Sequence, residues 1–495
     1  MKEYYLKKAD ENLPKIEMEN ISVPNEAKAL NSGDSFVLDL GNHYVGYLSF
    51  VLGFADYHPD APTRLAIKFC ESRYELERDF SSYKGTLCSS WLQEQIVNVD
   101  TVGVYKMPRR YAARYIKVTV LASPKNVILS DFTFSAVTSA KKERLAPLEI
   151  SDPELQSIDR VAVNTLKNCM HRVFEDGPKR DRRLWIGDLR LEALADYYTY
   201  DQVDLVRRCL YLFAAEGECK DGFMRGFVYE NPEFFSGNWT LIDYALLFVV
   251  SLCDYYLHTG DRETFFDIYP IAKKQMETAA EATDQNGIIS TKKGGGAFID
   301  WCDELEKKTS LHGVYLYTLD TLYKTLQLLD HDDASVYLSR YNASREAALR
   351  HLYNKENGNL ENAYDNYKTS VHSAVWMILG GALEGDEAFS ILKNAIDDEK
   401  SAKPVTPYMN HYLVEAMIKL GKKDIAAEHI KSFWGAMVRE GADTFYEVFV
   451  PGKPDVSPYG DRLINSMCHA WSCTPSYFIR KYFACGENGE ENGKI

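Results

Sequence analysis

Between residues 176 and 188 the chain reads Asp176-Gly-Pro-Lys-Arg180-Asp181-Arg182-Arg-Leu-Trp185-Ile-Gly-Asp188, which sets three carboxylates, three arginines and an indole just before a helical pattern. A carboxyl group that keeps its proton can hand it to a leaving oxygen, and a second carboxylate can take a proton from water. Paired acids among aromatic rings therefore suggest sugar chemistry. Far downstream, Gly441-Ala-Asp-Thr-Phe-Tyr-Glu447 and Asn465-Ser-Met-Cys-His469-Ala-Trp471 offer a second carboxylate and an imidazole in similarly aromatic surroundings. Gly177-Pro178 opposes helix formation, so the 176–185 stretch reads as a loop leading into a helix that starts near Asp188. The bland alternative is an exposed loop in which Asp and Arg pair with one another.

Composition limits what such a site could serve. With 57 basic against 72 acidic residues the net charge is −15, which repels a polyanion, so nucleic acid is not an expected partner. The basic cluster from Lys179 to Arg183 alternates with acids and suits the orienting of carboxylates better than a phosphate track. Ten cysteines lie scattered with no CxxC pair, the usage of free thiols in a reducing compartment. The opening residues, Met1-Lys-Glu-Tyr-Tyr-Leu-Lys-Lys, lack the apolar run of a signal peptide, and no stretch reaches the roughly 20 apolar residues that cross a bilayer. A cytoplasmic protein with no membrane partner is the expectation, and homo-oligomerisation is left open.

The elements that must hold these residues divide the chain in two. From about 33 to 137 the pattern has period two, with strands expected at 35–40, 45–53, 63–70, 93–100, 111–121 and 126–135, separated by turn residues such as Gly41-Asn42 and Pro59-Asp60-Ala61-Pro62. This predicts an N-terminal antiparallel β-sandwich over residues 1–140, closed by the charged link Ala140-Lys-Lys-Glu-Arg-Leu-Ala-Pro147. From Ser151-Asp-Pro-Glu onward, apolar residues recur at helical spacing in about twelve segments. They lie near 152–172, 188–200, 202–216, 239–258, 262–283, 312–329, 333–354, 369–381, 386–397, 409–420, 423–437 and 461–483. Twelve helices with unequal loops fit six inner and six outer helices, an (α/α)6 barrel over 141–485. A solenoid would have a similar count, but no fixed repeat period supports one. The polar, Gly-rich residues 486–495 read as a disordered tail.

The segment from Asp176 to Asp188 resembles a stretch of glycoside hydrolase family 78, the α-L-rhamnosidases, whose members commonly read Asp-Cys-Pro-Gln-Arg-Asp-Glu-Arg-Leu-Gly-Trp-x-Gly-Asp. In that stretch the Glu is the general acid, and the outer Asp residues and the Trp line the rhamnose pocket. This chain is one residue shorter. Aligned from Asp176, the acid position falls on Arg182, which cannot donate a proton at a workable pH; aligned from Trp185 and Asp188, it falls on Asp181 followed by Arg182, echoing Glu-Arg. The second alignment is adopted, with the shortened loop bringing the shorter Asp side chain closer to its target. The family's second marker, Gly-Ala-Thr-Thr-x-Trp-Glu, is similar to Gly441-Ala442-Asp443-Thr444-Phe445-Tyr446-Glu447 and implies a general base at Glu447. An Asn-His marker resembles Asn465 to His469. More loosely, Asn238-Trp239-Thr-Leu-Ile-Asp243 and Phe298-Ile-Asp300-Trp301 resemble further pocket segments of the family, although both could equally be packing with capping acids.

The resemblance implies an inverting glycosidase that releases terminal α-L-rhamnose from small glycosides or oligosaccharides. Asp181 and Glu447 would be catalytic, with Asp176, Arg180, Arg182, Trp185, Asp188, Trp239, Asp243, Asp300, Trp301 and His469 binding the sugar. Family members usually continue into a further C-terminal β-sandwich, for which the sequence has no room, so a compact form is expected. No cofactor is implied and no metal site is read, since His372, His411 and His469 lie on separate helical segments; metal-stimulated relatives leave room for a bound calcium. Two other readings stand beside this one: a catalytically silent carbohydrate-binding protein, suggested by the altered acid position, and a hydratase of unsaturated uronyl sugars on the same barrel, for which Arg180, Arg182 and Arg183 would face a substrate carboxylate.

Overall fold

The computed structural model describes residues 1–55, 60–230, 233–355, 358–360 and 369–484. The expected tail at 486–495 and part of the turn at 59–62 lie outside the described residues.

The N-terminal part contains α1 (Lys2–Glu11), β1 (Glu17–Ser22), β2 (Ala29–Leu30), β3 (Ser35–Phe54), β4 (Thr63–Cys70), α2 (Arg73–Glu77), β5 (Glu94–Val99), β6 (Gly103–Lys106), β7 (Tyr111–Ala122) and β8 (Val127–Thr138). All pairings are antiparallel, in the order β1-β8-β3-β7-β4-β5, with β2 on β8 and β6 on β3. The two strands expected at 35–40 and 45–53 are one strand, β3. Its first part pairs with β7 from Ser35 to Gly46 and its second with β8 from Gly46 to Phe54, so the strands form one continuous sheet rather than two hydrogen-bonded ones. Gly46 stands where the partners change, and a Cβ there would come within 2.1 Å of the Ser135 carbonyl oxygen. Alternate residues such as Leu48, Phe50 and Leu52 face a core shared with Ile67, Ile116, Val118 and Phe132. The first ten-residue helix does not join that core: α1 puts Tyr5 and Ala9 into the helical domain.

The helical domain comprises α3 (Pro153–Cys169), β9 (Leu184–Trp185), α4 (Ile186–Tyr197), α5 (Val203–Glu216), β10 (Phe227–Val228), α6 (Ile242–Thr259), α7 (Arg262–Glu281), α8 (Lys308–Leu328), α9 (Asp333–His351), α10 (Val371–Leu379), α11 (Gly385–Asp397), α12 (Pro407–Lys419), α13 (Lys423–Arg439) and α14 (Pro475–Phe478). Helices α4, α6, α8, α10 and α12 touch in succession, and residues 470–472 with α14 close the ring back onto α4. Outside them, α5 and α7 pack on α6, α9 on α8, α11 on α10, and α13 on α12 and α3. Position in the ring explains the sequence patterns: every residue of α4 and α10 is buried, whereas α9 buries only Tyr337, Ser344 and Ala348.

The expected last helix at 461–483 is a correction. Its first half is held by single turns and extended backbone, and helix begins only at Pro475. The amide groups a helix would use are engaged elsewhere: Ser466 N–H donates to Glu447 Oε2 at 3.1 Å, Met467 N–H to Glu71 Oε2 at 2.8 Å and His469 N–H to the Phe445 carbonyl at 3.0 Å. Among the described residues no helix is long and apolar enough to cross a membrane. The nine described cysteines are all unpaired.

The inner ring depends on close approach between α8 and α10, where a Cβ on Gly313 would meet the Trp376 backbone at 2.6 Å. Gly313→Ala is expected to destabilise the protein by about 1–3 kcal/mol, read as a lower unfolding midpoint, while Gly33→Ala, with no atoms near its Cβ position but a positive φ, tests the alternative that any glycine replacement costs as much.

Candidate active site

The cleft lies where loops enter the inner helices. Its walls come from residues 176–185 before α4, 239–241 before α6, 297–307 before α8 and 447–471 before α14, so the positive ends of helix dipoles face it. It encloses about 470 Å3. The first loop is folded by its own ends: Asp176 N–H donates to the Arg183 carbonyl and Arg183 N–H donates to Asp176 Oδ1, both at 2.9 Å. The chain between them must reverse tightly, and Asp181 and Arg182 do so with φ of 61° and 54°. Left-handed backbone at two successive side-chain-bearing residues costs on the order of 1–2 kcal/mol each. That strain aims neighbouring side chains in opposite directions, with Asp181 toward the cleft and Arg182 away from it.

Two cations fasten this loop to the last segment. Lys179 Nζ pairs with Glu75 and donates to the carbonyls of Leu463 at 2.9 Å and Asn465 at 2.8 Å. The guanidinium of Arg180 donates to both oxygens of Glu447, donates through Nε to the Ile464 carbonyl at 3.0 Å, and lies 4.5 Å from the Tyr459 ring centroid. Its Nη1 also lies 3.5 Å from Asp181 Oδ2, so one cation touches both candidate catalytic carboxylates. Glu447 further accepts from Tyr459 Oη at 2.6 Å and from Ser466 N–H at 3.1 Å. Burial alone would raise its carboxyl, but Arg180, then His469 and the Tyr459 hydroxyl, outweigh that and bring it down to about 2.

The other carboxyls behave in the opposite sense. Burial, reinforced by Asp181 and Asp188, pushes Asp176 well above the usual carboxylate range; burial and the Glu447 charge do the same to Asp188. Asp188 Oδ1 and His469 Nδ1 are buried 3.6 Å apart, too far for a good hydrogen bond, and neither has a partner among the described residues. Burial brings His469 down to about 3, so it is a neutral imidazole. Polar atoms of this kind, buried and unpartnered at a cleft wall, suit the hydroxyl groups of a ligand. The remaining wall is aromatic. Trp185 meets Trp239 edge to face at 5.6 Å, Phe298 stacks on Trp471 at 5.7 Å, and Trp301 meets Tyr459 at 5.8 Å.

Asp176, Arg180, Asp181, Trp185, Asp188, Trp239, Trp301, Glu447 and His469 thus meet at one cleft. Three expected sugar-binding residues do not reach it. Asp243 accepts from the N–H groups of Phe298 and Ile299, at 3.0 and 2.8 Å, and holds the turn behind the aromatic wall. Asp300 accepts from Thr406 Oγ1 at 2.6 Å and Val405 N–H at 2.8 Å and lies 2.7 Å from His372 Nε2, joining the α8 loop to α12. Arg182 donates to the carbonyls of Pro178 and Arg110 at 2.7 and 2.8 Å. Each is held by backbone groups that sequence alone does not place. Tyr459 and Trp471 were not expected in the site, nor were Leu87 and Trp91, which reach in from the sheet domain; Trp471, beside His469, was the most visible of these.

A closed ring of helices with a cation-bridged pair of carboxylates at an aromatic mouth defines a glycosidase of the six-hairpin class. The chain belongs to glycosyl hydrolase family 78: residues 7–139 match the family's alpha-rhamnosidase N-terminal domain and residues 143–483 the bacterial alpha-L-rhamnosidase 6 hairpin glycosidase domain. A rhamnosidase from Klebsiella oxytoca, solved with rhamnose bound, is 38% identical with a TM-score of 0.91 over 97% of this chain and 98% of that one. A family 78 rhamnosidase of Bacillus sp. GL1 is 22% identical with a TM-score of 0.76, over 92% of this chain and 47% of that one. An alpha-L-rhamnosidase of Formosa agariphila is 20% identical over 341 residues, which are 63% of this chain and 34% of that protein. The chain therefore spans about half the length of the Bacillus protein and matches about a third of the Formosa one.

The Arg180 contact generates a sign-definite expectation. Glu447 binds its proton more weakly in the folded than in the unfolded chain, so it stabilises the fold fully above its ordinary value of 4.5 and loses that contribution as pH falls toward about 2. In Arg180→Met burial is no longer opposed by that cation. Carbonyl-carbon NMR titration should then find Glu447 protonating above 4.5, whereas the wild-type carboxyl should still be ionised at about pH 3.

Proposed function

We propose that this chain is an inverting α-L-rhamnosidase in which Asp181 is the general acid and Glu447 the general base. The observation that carries the assignment is that Asp181 and Glu447 line the same cleft on either side of the Arg180 guanidinium. The span of one guanidinium and its two contacts keeps their nearest oxygens within roughly 8 Å, compatible with the roughly 6.5–9.5 Å over which an inverting pair accommodates a water. Glu447, ionised down to about pH 2, is in the form that accepts a proton. Asp181 is the one carboxylate of the 176–188 loop that lines both the sugar cleft and the neighbouring cavity at the seam with the sheet domain. A glycosidic oxygen joining a sugar in the first space to a leaving group in the second would therefore face Asp181. Asp176 and Asp188, shifted toward their neutral forms, can exchange hydrogen bonds with ring hydroxyls, and the Trp185, Trp239 and Phe298 surfaces offer an apolar seat for the C6 methyl of a 6-deoxy sugar.

The rhamnose seen in the Klebsiella relative supports this substrate class. The hydratase reading is weakened because Arg182 turns away and Arg180 is committed to Glu447, which leaves Arg183 as the one of its three expected cations that lines the sugar cleft without a close carboxylate partner. Unpaired thiols throughout the described chain favour a cytoplasmic setting for the enzyme.

Hydrolysis of a chromogenic α-L-rhamnoside, with the released sugar's anomer followed by proton NMR, tests the assignment. Inversion in the wild type and a loss of about 10²-fold or more in both Asp181→Asn and Glu447→Gln are expected. Rhamnose binding without turnover in the wild type would leave a silent sugar-binding protein as the better reading.

A further inference from the structure

A second cavity, about 780 Å3, opens at the seam between the sheet and the helical ring and shares Trp91, Asp181 and Arg183 with the sugar cleft. Its charge is unlike that of the molecule. The chain carries a net −15, yet five guanidinium groups surround this space. The carboxylates beside them do not balance the charge. Glu175 is taken by Arg110 through contacts of 2.6 and 2.8 Å. Glu230 is paired with the buried Arg208 behind it, so Arg172, with half its side chain exposed, reaches it only at 4.0 Å. Arg183 lies 4.0 Å from Asp181, which Arg180 already contacts. Arg182 bonds to carbonyls, and Arg109 has no carboxylate partner among the described residues, its guanidinium lying over the Tyr111 ring. Burial, then the Arg110 and Arg109 charges, lower Arg182 to about 10 against the opposing pull of Glu175.

We propose that this seam cavity is the leaving-group subsite and that it selects a uronic acid, whose carboxylate is gripped by Arg109 and Arg172 while its ring lies against Trp91. The inference rests on Asp181 protonating the oxygen between the two cavities and deepens the rhamnosidase reading. A planar guanidinium matches a carboxylate through two parallel hydrogen bonds, and in a partly enclosed space such a pair discriminates strongly against a neutral hydroxymethyl group.

Two disaccharides that differ at one carbon decide it: α-L-rhamnosyl glucuronate and the same linkage to glucose. For the wild type, kcat/KM for the acidic substrate should exceed that for the neutral one by at least about tenfold, as a charge-assisted bond predicts, and the ratio should shrink as salt is raised. In Arg109→Gln and, separately, Arg172→Gln the ratio should fall toward one; because it is a ratio within each variant, loss of folded protein does not mimic the effect. Calorimetric binding of the same pair gives the preference independently of turnover. Absence of cleavage would thus count against the rhamnosidase assignment alone, while acidic preference in affinity would still support the subsite. Equal kcat/KM and equal affinity for the two sugars, or a preference untouched by either substitution, would overturn it.

Discussion

The buried guanidinium of Arg180 is the interaction on which the site's geometry depends. Removing such a cation from water is costly unless its donors are met by anions and carbonyls. Here Glu447, the Ile464 carbonyl and the face of Tyr459 meet them, each from a segment more than 260 residues along the chain. Satisfying that one charge draws three loops together. It ionises Glu447 and, through the same planar group, sets the distance at which Asp181 can stand from it. The carboxyls that the cation does not reach directly, Asp176 and Asp188, are left to burial and mutual repulsion and shift the other way. Opposite protonation states thus arise within one small cleft from the direction in which one side chain points.

The sheet domain is part of this arrangement. Glu75 and Glu71 reach from beyond β4 to Lys179 and to the Met467 amide, while Arg110 grips Glu175 and Arg114 contacts Asp443, two residues at the roots of the loops that carry Asp181 and Glu447. These contacts keep the 465–469 backbone out of a helix where the apolar spacing suggested one. Leu87 and Trp91 then complete the cleft wall. Strand β7, which carries Arg114, pairs with both β3 and β4 and so ties those contacts to the sheet.

Much of the fold could be read along the chain. The period-two region became the antiparallel sheet, and eleven of the twelve helical segments correspond to helices α3 to α13, because burial on one face or all round leaves a local trace in residue type. The exceptions have local causes invisible in one dimension. At 461–483 the apolar pattern is real, since these residues are buried, but their amide groups answer to partners in other segments. Asp243 and Asp300, each close to a tryptophan, looked like sugar ligands; both are buried behind the wall, where free backbone N–H groups claimed them first. Arg182 follows Asp181 in the same motif, yet consecutive left-handed residues turn it into a different cavity.

By itself the sequence determined the order of the two domains, eleven helical segments of the second, and the residue types offered at 176–188 and 441–447, since periodicity and short motifs are properties of neighbouring residues. Tertiary structure decided which carboxylates meet, which is held ionised, and which arginines serve the site or leave it. Those outcomes depend on burial and on charges such as Arg180 and Glu447, 267 residues apart, whose influence falls off with distance in space and is indifferent to distance along the chain.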